Sequence, residues 1–163
     1  MKTPKKSKPP TAEAFIQEAG SLATEFGWRA KTSERENEAV VVALTESEPT
    51  FERFVWVYNF ERASVRCMLV SKEKVAEKRQ TAILELCARV NEALPFGCLE
   101  YSFSDRVLVF RDATDVECGP LKQVIIDTTS RVINLGRRYD SAITSTLAGE
   151  QPEVAVKNAE SSE

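Results

Sequence analysis

The chain has 163 residues, 42% of them apolar and 29% charged, with a formal net charge of -3, and it contains no histidine. Those proportions are those of a soluble globular domain rather than a disordered chain, and the apolar runs are far shorter than the roughly 20 residues of a membrane-spanning helix. The missing histidine removes the commonest general base, the Ser-His and Cys-His nucleophile arrangements and the favourite metal ligand together.

The first ten residues, MKTPKKSKPP, carry four lysines and three prolines and read as a solvated basic arm. No apolar core follows these lysines as in a secretory signal, so we expect a cytoplasmic protein. From Thr11, a suitable N-cap, Phe15, Ile16, Ala19, Leu22, Ala23 and Phe26 recur at helical spacing until Gly27. A polar connection, KTSERENE, leads to three segments rich in β-branched and aromatic residues, AVVVALTE, FERFVWVYNF and ASVRCMLV. They predict an antiparallel meander. In the middle one, Phe54, Trp56, Tyr58 and Phe60 point one way and Val55 and Val57 the other, so both faces of the sheet call for cover.

Lys72 to Leu94 repeats Val75, Ile83, Leu86, Cys87, Val90 and Leu94 on one stripe and predicts a second helix. Pro95 and Gly97 end it, with Phe96 placed to pack between helix and hairpin. CLEYSFS and RVLVFRD alternate around Ser104-Asp105 as a hairpin. Gly119-Pro120 then opens a helix reaching Leu147, more than twice the usual length of about 11 to 12 residues. Its stripe includes Val132, Leu135, Tyr139 and Ile143. Such a length asks for a packing partner beyond a small sheet. The segment from Gly149 to Glu163 is acidic and reads as a second solvated tail.

The expected fold is therefore α+β, a mostly antiparallel five-stranded sheet with packed helices in the order α-β-β-β-α-β-β-α. It occupies residues 11 to 148, between a disordered basic arm (1 to 10) and a disordered acidic tail (149 to 163). This order, together with VNEALPFGCLEYS, the return strand RVLVFRD, and Tyr139 and Ile143 in the last helix, resembles the YbjN-like domains, which share the fold of small type III secretion chaperones. The resemblance implies a chaperone-like or regulatory adaptor, often dimeric, with no chemistry of its own.

Candidate chemistry is sparse. Cys67, Cys87, Cys98 and Cys118 form no Cys-x-x-Cys pair and read as reduced and packed. Glu100, Asp105, Asp112 and Asp115 match no metal loop, and we expect neither metal nor cofactor. Asn91 is placed to bond local backbone. The Phe54 to Phe60 aromatics would stack single-stranded nucleic acid only on an open, basic face; with the lysine arm they define the rival to protein binding. The surface expected to bind a protein partner, or to close a homodimer, comprises Val132, Leu135, Tyr139 and Ile143 of the last helix with Trp56 and Tyr58 of the aromatic strand.

Overall fold

The computed structural model describes residues 9–45 and 50–161. The first helix, α1 (Ala12–Glu25), starts where the Thr11 side chain accepts a hydrogen bond from the Ala14 N–H at 3.2 Å, and Gly27 turns the chain out of it at φ +73°. Two hairpins follow in β1 (Arg29–Arg35), β2 (Glu38–Leu44), β3 (Phe51–Asn59) and β4 (Ser64–Ser71). After α2 (Gln80–Ala93) come the hairpin β5 (Cys98–Ser102) and β6 (Val107–Asp115), the long α3 (Leu121–Ala148) and a short α4 (Pro152–Glu160). The sheet has six strands in the order β1-β2-β3-β4-β6-β5, every pair antiparallel.

Four expectations need correction. The polar connection after Gly27 contains a strand, β1, which has no buried side chain and is held by its backbone ladder to β2. The second helix begins at Gln80, because the Val75 N–H is bonded to the Arg106 carbonyl at 2.7 Å and the backbone is extended up to Ala76. Beyond Gly149 the chain is ordered as α4, with Pro152, Ala155, Val156 and Ala159 buried against α2 and α3. Phe96 is not clamped between helix and hairpin; it is 65% exposed, with the Arg131 guanidinium 5.9 Å from its ring centre. The expected basic arm lies, except for Pro9 and Pro10, outside the described residues.

The core lies between one face of the sheet and the helices. A bulge between Phe51 and Arg53 shifts the alternation so that Phe51 and Phe54 both turn inward. Phe54, Trp56 and Tyr58 are fully buried there, with Phe15 of α1 5.6 Å from Tyr58. The Trp56 indole N–H donates to Thr129 Oγ1 of α3 at 2.8 Å, which satisfies a buried donor that would otherwise be costly. Gly136 lets α3 come down onto β4, where a side chain would collide with Leu69 Cδ2. Asn91 ties α2 to β5 as expected, accepting from the Leu99 N–H at 2.7 Å and donating to its carbonyl at 3.0 Å.

Candidate binding face

Cross-strand register decides which residues share a face. With Trp56 and its neighbours turned to the helices, Val40, Val42, Val55, Val57, Met68 and Val70 face the other way. Among the described residues no helix covers that side: α1 packs on β1, β2 and β3, α3 on β4 and β6, α2 on β5, and α4 on α2 and α3. The sheet thus has one helix-covered face and one face floored with aliphatic side chains.

Arginines supply the cover that was expected from a second layer. Arg66 stands opposite Val57 and Arg53 opposite Val70. They share that face with the valines, an arrangement long cationic side chains favour because the head stays wet while the methylenes are buried. Val57 and Val70 are consequently only 4% and 7% exposed without any helix above them. The Nε atoms of Arg53 and Arg66 are buried with no hydrogen-bond acceptor. Glu52 lies 3.4 Å from Arg53 Nε as an ion-pair neighbour, and Glu38 lies 3.7 Å from Arg66 Nη2. Arg111, on β6, pairs with Glu100 at 2.5 Å. Each of these pairs is at least a quarter exposed, so solvent screening leaves it worth little.

One row across the sheet runs Lys31, Val42, Val55, Met68, Arg111, Cys98. A neighbouring row runs Arg29, Leu44, Arg53, Val70, Val109, Glu100. At the β1 end the two rows enclose a hollow of about 330 Å³ lined by Arg29, Lys31, Val42 and Leu44, with Leu44 46% exposed. Cations outnumber the acids Glu38, Glu52, Glu100 and Asp115 on this face, although the whole chain carries -3.

The residues expected to form a partner surface are elsewhere. Trp56, Tyr58, Val132, Tyr139 and Ile143 are core residues with 1% exposure or less, and Leu135 is half-buried beside Gly97. The surplus stripe on α3 is taken up by the sheet, α1, α2 and α4. With its aromatics turned inward, β3 offers no stacking platform. The floor itself was visible only as the valines alternating with those aromatics.

The remaining polar candidates are absorbed by structure. Asp112 binds Arg131 Nε, whose Nη2 reaches Thr114 Oγ1 at 2.6 Å. Asp105 accepts from Ser102 Oγ at 3.0 Å in the hairpin turn. No cluster of three or more His, Cys, Asp or Glu that could hold a metal ion occurs among the described residues. All four cysteines are free: Cys67 and Cys87 are buried, Cys98 is half-buried, and Cys118 is exposed rather than packed. Burial pushes the Cys67 and Cys87 thiols up to about 12. Burial also raises the Cys98 thiol, partly offset by the Arg111 guanidinium 3.9 Å from its sulfur. None of the three is poised as a nucleophile, since the thiolate is the reactive form.

Among the described residues no helix is long and apolar enough to cross a membrane. No family model matches the chain, and neither a curated protein nor a solved structure does.

Proposed function

We propose that the protein is a non-enzymatic protein-binding module of the cytoplasm, chaperone-like or a regulatory adaptor in the manner of the YbjN-like domains it resembles, and that it binds through the helix-free face of its sheet. The observation that supports this reading is the half-buried aliphatic row of Val42, Val55 and Met68, with arginines beside it, on a face that no described helix covers. Exposed apolar surface rimmed by polar groups is a common mark of protein interaction sites. The rival, nucleic-acid binding, keeps the cations but loses the aromatic strand, which lies in the core. The homodimer expectation rested on the aromatic face of the sheet and on spare surface along α3, and both are covered by the rest of the fold.

The test is site-specific photo-crosslinking. A photoreactive residue at Val55 or Met68 should capture a defined protein, and one at Lys122 on α3 should not. The captured protein, once identified and purified, should bind the unmodified chain. Capture from Lys122 alone, or of nucleic acid alone, would refute the reading.

A further inference from the structure

We infer that the segment seated on the helix-free face is acidic and extended, with two carboxylates about 20 Å apart flanking aliphatic side chains; this rests on the protein-binding reading above and names the chemistry of the partner. The inference comes from the stretch of one row between Lys31 and Arg111, with Val42, Val55 and Met68 between them and Cys98 beyond Arg111. Four strand-to-strand steps of about 4.8 Å set the two cations roughly 19 Å apart. An extended chain crossing the strands covers that distance in six residues, at about 3.3 Å each. Residues one, three, five and seven of such a segment point down, so acids at one and seven meet Lys31 and Arg111 while aliphatics at three and five meet the floor.

Charge selects this occupant over the other two at hand. A second copy applied face to face would set one surface with more cations than acids against another of the same kind. The chain's own amino-terminal segment adds four lysines and is repelled in the same way. An acidic partner instead meets Arg53 and Arg66, whose side chains are 42% and 38% exposed. It competes for Arg111 against Glu100, in an ion pair whose side chains are 39% and 44% exposed, and against the weak acceptor Cys98 Sγ at 3.9 Å. Such a screened pair exchanges partners at little cost.

The experiment uses the full chain and a capped heptapeptide, Glu-Ser-Val-Ser-Val-Ser-Glu, followed by amide NMR titration. We expect saturable shifts centred on Val42, Val55 and Met68, and affinity that weakens as salt is added. The peptide with lysine in place of both glutamates should bind about tenfold more weakly or not at all. A Lys31→Glu, Arg111→Glu variant, with its fold checked by circular dichroism, should reverse that order and prefer the lysine peptide. Val55→Ser should weaken both peptides without reversing the preference. No saturable binding of the acidic peptide, or no reversal in a folded charge-swapped variant, would overturn the inference. So would tighter binding of a ten-residue oligothymidylate that the same variant abolishes. If crosslinking from Val55 captures a protein while the acidic peptide fails, the binding reading stands and the acidic segment alone falls; failure of both removes the two together.

Discussion

At Gly136 the long helix approaches the sheet so closely that even a methyl group would strike Leu69 and crowd Phe51. Gly136→Ala should therefore destabilise the fold by about 1–3 kcal/mol, because the packed floor beneath it has little room to yield. Gly20, in the middle of α1, has nothing within 4 Å of the position a Cβ would take. There the same substitution should stabilise by about 0.5–1 kcal/mol through helix propensity and chain entropy. Urea denaturation of the two variants tests both signs at once. A second residue-scale consequence concerns alkaline pH. Burial holds Cys67 and Cys87 protonated up to about 12, against an ordinary value of 9.0. Between those values the unfolded chain releases protons that the folded chain keeps, so stability is intact below pH 9 and falls from there towards pH 12. Burial raises the Tyr58 hydroxyl as well, adding to the fall above its ordinary 10.0. Melting temperatures measured from pH 7 to 11 should decline more steeply for the wild type than for a Cys67→Ala, Cys87→Ala variant, whatever their difference at pH 7.

Among the elements, α4 is the one whose removal tells most. Its buried side chains are small, yet Val156, Ala155 and Ala159 close the groove between α2 and α3, and Glu160 accepts from the Tyr139 hydroxyl at 3.1 Å. Deleting residues 151 to 163 should cost on the order of 3 kcal/mol, from lost apolar burial and the uncovered Tyr139 hydroxyl. A truncated protein as stable as the whole would contradict the packing of α4. This helix also shows where sequence reading loses its grip. Pro152, Ala155, Val156 and Ala159 do stand at helical spacing, but three small residues and one valine weigh little against the acidic composition around them. β1 fails more completely, because RAKTSER has no apolar residue larger than alanine and its strand state is imposed by the ladder to β2. By contrast α1, the β2–β3–β4 meander, the β5–β6 hairpin and α3 were legible, since each buries large side chains at a regular period. The binding face was half legible. Val55 and Val57 could be assigned to the side opposite the aromatics, but only the placement of every helix on one side tells which of the two faces stays open. The arginines over it come from three strands, and no local pattern in the chain links them.

Taken as a whole, the molecule is two unlike surfaces back to back. The helix-covered face holds the large side chains, from Phe15 and Trp56 to Phe110 and Tyr139, and carries most of the burial that stabilises the fold. The other face carries less of that burial, with Val42, Val55 and Met68 half-buried among arginines. On the proposed reading, such a division places binding variants and folding variants at alternate positions of the same strand, most plainly along β3.

The outer edge of β1 has a different consequence. Seven consecutive exposed residues end the sheet on one side. An uncapped ladder of that length is a template on which further strands from other molecules could grow. Arg29, Lys31, Glu34 and Arg35 act as gatekeepers there, since stacking this strand on a copy of itself sets Arg29 against Arg35. Replacing Arg29 and Arg35 with valine should therefore make the protein form fibrils, at unchanged or higher thermal stability. Thioflavin fluorescence and turbidity over days of incubation would record the change, and a variant that stays clear would show that the charges on this edge have no protective role.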